Sequence, residues 1–66
     1  MSLDVIKHNA EELVKFIGKF EELEGKKKEE RDVGKIKEID KKLEDVKKHI
    51  SELNVGIREN VKEEER

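Results

Sequence analysis

The stretch IKEIDKKLEDVKKHISELNVGI, residues 36–57, decides the fold. Its apolar residues are Ile36, Ile39, Leu43, Val46, Ile50, Leu53 and Ile57, separated by alternating steps of three and four. That is an a/d heptad, the pattern that seals one helix against another. Between these positions stand Lys37, Glu38, Asp40, Lys41, Lys42, Glu44, Asp45, Lys47 and Lys48. The stretch therefore specifies a helix with one narrow apolar seam and a solvated remainder.

Upstream, Leu3, Ile6, Ala10, Leu13, Ile17 and Phe20 repeat at the same steps, and Leu23 extends the apolar surface by a turn. Ser2 reads as an N-cap, and Asp4 falls in the first turn, where the helix dipole favours a carboxylate. A further set flanks this seam, with Val5, Phe16 and Leu23 on one side and Val14 on the other. The apolar arc spans about half the cylinder, at roughly 100° per residue. One neighbouring helix cannot cover so wide an arc, so Val5, Phe16, Leu23 and Val14 form the expected interaction face. Gly18 lies inside this helix beside Val14.

Residues 25–34, GKKKEERDVG, carry one apolar residue and a glycine at each end. Gly25 reads as the stop of helix 1 and Asp32 as the N-cap of helix 2. This gives helix 1 over about 3–24, a turn over 25–32 and helix 2 over about 33–60. In an antiparallel hairpin, facing residue numbers share a nearly constant sum. Leu23 with Ile36, Phe20 with Ile39 and Leu13 with Val46 all give 59, as does Ile6 with Leu53. Ile17 with Leu43, Ala10 with Ile50 and Leu3 with Ile57 give 60. A register one heptad away, with sums near 66, pairs Leu23 with Leu43 and Phe20 with Val46. It ranks second, because it sets Ile36 and Ile39 against Lys and Glu of the loop region. A continuous helix through the loop ranks third. Asn54 and Gly56 weaken the helical signal late in the chain, so residues 61–66 are expected to fray.

The expected fold class is all-α: one domain over 1–66, an antiparallel two-helix coiled coil that dimerises into a four-helix bundle. Composition agrees. Charged residues make up 52% of the chain and apolar ones 32%, a balance seen in disordered chains unless the apolar residues are periodic, as they are here. A core of this size rarely supplies more than about 3–5 kcal/mol, and with no Cys there is no disulfide to help. Regular helix packing and oligomerisation remain. The net charge of −2 creates no field that recruits nucleic acid or anionic lipid. Lys and Glu dominate the polar positions, a pattern shared by thermophilic proteins and by any long solvated helix. No apolar run has membrane-spanning length and no signal peptide is visible, so a cytoplasmic location is the expectation.

Little in the sequence suggests catalysis. His8 with Glu12 and Asp45 with His49 stand four apart on helices, a spacing that can place two ligands on one metal. Zinc sites need three or four ligands, so surface ion pairing is the expectation, with no metal and no cofactor. Ser2 and Ser51 are the only hydroxyls, a cap and a solvent-facing residue. Lys26-Lys27-Lys28 and Arg31 form a short basic run, interrupted by Glu29 and Glu30 and without an aromatic neighbour to stack a base, so it reads as a solvated turn. Glu11 to Lys15, Glu38 to Lys42 and Glu44 to Lys48 are spaced for helical ion pairs.

In length and layout the chain resembles the dimeric helical hairpins of the Rop type, which form four-helix bundles and bind RNA. The resemblance covers the architecture and carries no residue across. The expected function is a non-enzymatic interaction module, a small dimeric scaffold, adaptor or assembly subunit. Its expected partner is a second copy or another helical protein. The alternatives are a Rop-like nucleic-acid-binding regulator, with Phe16 beside Lys15 and Lys19 as its contact, or a fragment of a larger coiled coil.

Overall fold

The computed structural model describes residues 2–64 as two helices packed against each other in a hairpin. Helix α1 runs Ser2–Glu29 and helix α2 runs Val33–Glu64, joined by residues 30–32. Ser2, expected as a cap, is itself the first helical residue. Among the described residues no helix is long and apolar enough to cross a membrane.

Helix α1 is longer than the sequence suggested. Gly25 does not end it; the backbone there is not left-handed, and the helix continues for four residues. One interior glycine costs about 1 kcal/mol. Lys26, Lys27, Lys28 and Glu29 are good helix formers, and the three lysines sit at the negative end of the helix dipole. Two of them also find partners, Lys26 on Glu22 at 3.3 Å and Lys27 on Asp40 of α2 at 2.6 Å.

The turn is consequently three residues and not eight. Glu30 N–H closes α1 by donating to the carbonyls of Lys26 and Lys27, at 3.0 and 3.3 Å. The Glu30 carboxylate accepts the N–H groups of Arg31 and Asp32, both at 3.1 Å. Asp32 caps α2 as its position predicted. Its Oδ1 accepts Gly34 N–H at 2.8 Å and Lys35 N–H at 3.3 Å, and its carbonyl accepts Ile36 N–H at 2.9 Å. These bonds satisfy donors that the first helical turn leaves open. At the other end, α2 passes through Asn54 and Gly56 and includes residues 61–64, which were expected to fray. Glu65 and Arg66 of that expected tail lie outside the described residues.

Lengthening α1 moves the register by a heptad. Phe16 meets His49, a Cβ built on Gly56 would lie 3.2 Å from Asn9 Nδ2, and Lys27 meets Asp40. Those residue numbers add to 65, 65 and 67, so the register near 66 is the one adopted and the register at 59–60 is not. The α1 seam becomes Ile6, Asn9, Leu13, Phe16, Phe20 and Leu23, again in steps of three and four, and the exposed Lys27 and then Glu30 of the turn continue the spacing. In a register of 66 these positions stand opposite Asn60, Ile57, Leu53, Ile50, Val46, Leu43, Ile39 and Ile36, in that order. Ile36, Ile39, Leu43, Val46, Ile50, Leu53 and Ile57 are partly buried, as expected for the α2 seam.

The α1 seam is corrected at its edges. Leu3 is 66% exposed and Ile17 42% exposed, so both leave the seam, while Phe16 and Leu23 enter it. Ile6, Ala10, Leu13 and Phe20 stay partly buried. The feared mismatch at the turn is tolerable because lysine is amphipathic. The Lys27 stem can cover Ile39 while its ammonium reaches the neighbouring Asp40. Asn60, in the last paired layer, donates its amide to the Gly56 carbonyl at 2.7 Å.

Candidate interaction surface

A hairpin of two helices has no interior. Among the described residues no side chain is buried; the best-covered ones are only partly so. The Cα trace is a rod of 51 × 14 × 12 Å with a radius of gyration of 15.2 Å, where a compact chain of this length would have about 11 Å. Function has to be sought on the flanks of the rod.

The first flank lies beside the seam on the side of Val5, Glu12 and Lys19. Here Phe16 is enclosed by its neighbours. The His49 ring stacks on it, with centroids 5.0 Å apart and planes 14° from parallel. Lys19 Nζ stands 5.0 Å from the ring centroid, within cation–π range. His49 is held for this contact by its own helix, donating from Nδ1 to the Asp45 carbonyl at 3.0 Å. The carbonyl can only accept, so the proton sits on Nδ1. A shallow groove of about 380 Å³ follows, floored by Leu23 and Val46 and rimmed by Lys19, Glu22, Lys42 and Asp45. Its rim alternates in sign.

The second flank is apolar. Leu3, Ala10 and Ile17 stand seven apart along α1, with Val14 beside them, and Val61 of α2 is on the same side of the hairpin. Val14 is 70% exposed, Leu3 66%, Ile17 42% and Val61 38%. Toward the turn this flank opens into a second groove of about 370 Å³ lined by Glu24, Lys27, Lys28 and Leu43.

The expected interaction face of Val5, Phe16, Leu23 and Val14 is thus not one surface. Phe16 and Leu23 lie in the seam, Val5 is exposed on the first flank, and Val14 is exposed on the second. The heptad shift alone would keep the same face of α1 inward; the structure also turns α1, so that Phe16 is partly buried at the seam and Ile17 is exposed beside it. Leu3 and Ile17 are the residues that sequence reasoning placed wrongly inside. Their signal is legible in the sequence, since Leu3, Ala10, Val14 and Ile17 share one side of the wheel.

Other expected pairings also change. Asp45 and His49 meet through the backbone carbonyl and not through the carboxylate. Among the described residues the ion pairs are Glu22–Lys26 and Lys27–Asp40; Glu11–Lys15, Glu38–Lys42, Glu44–Lys48 and His8–Glu12 are not closed. Among the described residues no three His, Cys, Asp or Glu side chains gather as a metal-binding group. Comparison with protein-family models, curated proteins and solved structures finds no match to the chain.

Proposed function

We propose that the protein is a non-enzymatic interaction module whose hairpins self-associate into a dimeric four-helix bundle, serving as a small scaffold or assembly subunit. The observation that carries this reading is the uncovered surface. The hairpin exposes 5552 Å², where a compact monomer of 7.8 kDa exposes about 4,400 Å². The excess is on the scale of what one partner buries in a standard interface, about 800 Å². Four large aliphatic residues on one flank lie within it. A seam that is only partly covered also gains from a second layer, because apolar burial is worth roughly 25 cal/mol per Å².

A nucleic-acid role has less support. Phe16, the aromatic it would need for base stacking, already carries His49 on its face and Lys19 beside it.

Sedimentation equilibrium tests the proposal. Across micromolar concentrations the chain should sediment at twice its monomer mass, and its helicity should fall on dilution together with dissociation. A monomer at every concentration, with undiminished helicity, overturns it.

A further inference from the structure

Resting on the self-association reading above, we infer that the second copy docks along the outer side of α1, with the two α1 helices antiparallel and overlapping along their whole length. Leu3, Lys7, Ala10, Val14, Ile17, Glu21, Glu24 and Lys28 form a second heptad on this helix, again in steps of four and three. This stripe is centred about 100° around the helix from the seam that meets α2. A helix at the corner of a four-helix bundle needs two contact stripes close to a right angle apart. Helix α1 has both. The matching outer stripe of α2 contains Lys37, Glu44, Lys47, Ser51 and Arg58 and offers no comparable apolar centre.

The register of the contact follows from charge and length. Antiparallel pairing of the stripe with itself allows layers whose numbers add to 24, 31 or 38. At 31, Val14 meets Ile17 of the second copy twice, placing four aliphatic side chains around the two-fold axis. Lys7 then faces Glu24 of the second copy, also twice, with opposite charges. Ala10 leaves room for Glu21, and the stem of Lys28 can lie over Leu3. At 24, Lys7 would sit on Ile17 and Glu21 on Leu3, with no charge answered. At 38, Glu24 would sit on Val14. The ends of α1, Ser2 and Glu29, also add to 31, so the register that answers the charges is the one giving complete overlap. The contact is isologous, as a two-fold dimer requires.

Two measurements together test this geometry. The chain lacks cysteine, so introduced thiols report cleanly. When Lys7→Cys and Glu24→Cys chains are mixed and oxidised, they should form the mixed disulfide. Neither should cross-link to itself, since copies of one position lie about 25 Å apart along the axis. In sedimentation, Lys7→Glu and Glu24→Lys should each raise the dimer dissociation constant about tenfold, because symmetry reverses two pairs at once. The double variant Lys7→Glu/Glu24→Lys should return it to the wild-type value. A wild-type dimer that forms like-with-like disulfides, or is indifferent to both reversals, overturns this docking mode and leaves self-association standing. A wild-type monomer overturns both.

Discussion

On the side of α1 turned away from α2, Val14 is 70% exposed, Leu3 66% and Ile17 42%. The corresponding side of α2 carries Lys37, Glu44, Lys47, Ser51 and Arg58, with Val33 and Val61 only at its ends. The two helices share one seam and contribute to it layer by layer, so packing within the hairpin does not explain the difference. It teaches that the flank of α1 outside the seam is apolar and the equivalent flank of α2 polar. Their glycines differ in the same sense. A Cβ at Gly18 or Gly25 of α1 would meet nothing within 4 Å, whereas one at Gly34 or Gly56 of α2 would lie 3.2 Å from Asp32 Oδ1 or Asn9 Nδ2. The Gly34 contact is with the cap of its own helix, so Gly56 is the glycine at which α2 closes on α1, and Gly18 and Gly25 of α1 face open space.

The comparison breaks most visibly under charge. Ile17→Glu should dissociate the proposed dimer at a cost of about 3 kcal/mol or more, since two aliphatic side chains would lose their cover in it. Lys47→Glu, on the equivalent flank of α2, should leave the sedimenting mass unchanged. Equal effects from the two substitutions would erase the distinction between the helices.

Truncation in the shared seam comes next. Leu13→Ala should lower stability by about 2–3 kcal/mol in urea unfolding, at the low end for leucine because the site is only partly covered. A loss of a few tenths would remove Leu13 from the seam. Asp32→Ala removes the carboxylate that accepts Gly34 and Lys35 N–H, and should cost about 1 kcal/mol by weakening the start of α2 alone. Amide exchange should then quicken at residues 33–36 and not across α1.

The glycines give the smallest and sharpest contrast. Gly25→Ala should stabilise the hairpin by about 0.5–1 kcal/mol, raising its melting temperature, because the added methyl is unobstructed and the backbone is already helical. Gly56→Ala should gain less, since the Asn9 amide must give way. A larger gain at Gly56 would mean that the helices are not as close there as the structure places them.

Much of this protein is set by sequence alone. The period of Ile36 through Ile57 specifies α2 and its buried side without reference to anything else, because a heptad can close in only one way on a helix. Asp32 is likewise local: a carboxylate two and three residues before open N–H groups caps them wherever the helix goes. The excess apolar arc of α1 is legible too. What only the tertiary structure decided is which half of that arc faces α2. The periodicity of α1 admits both the seam through Ile17 and the seam through Phe16, and the register along it turns on whether the helix runs through Gly25. Locally that glycine reads as a stop. In the folded hairpin the helix runs on through Gly25, and Lys27 reaches Asp40, thirteen residues away in sequence. The packing of the two helices brings Phe16 into the seam and leaves Leu3 and Ile17 outward, a choice made between whole helix faces and not by any one residue.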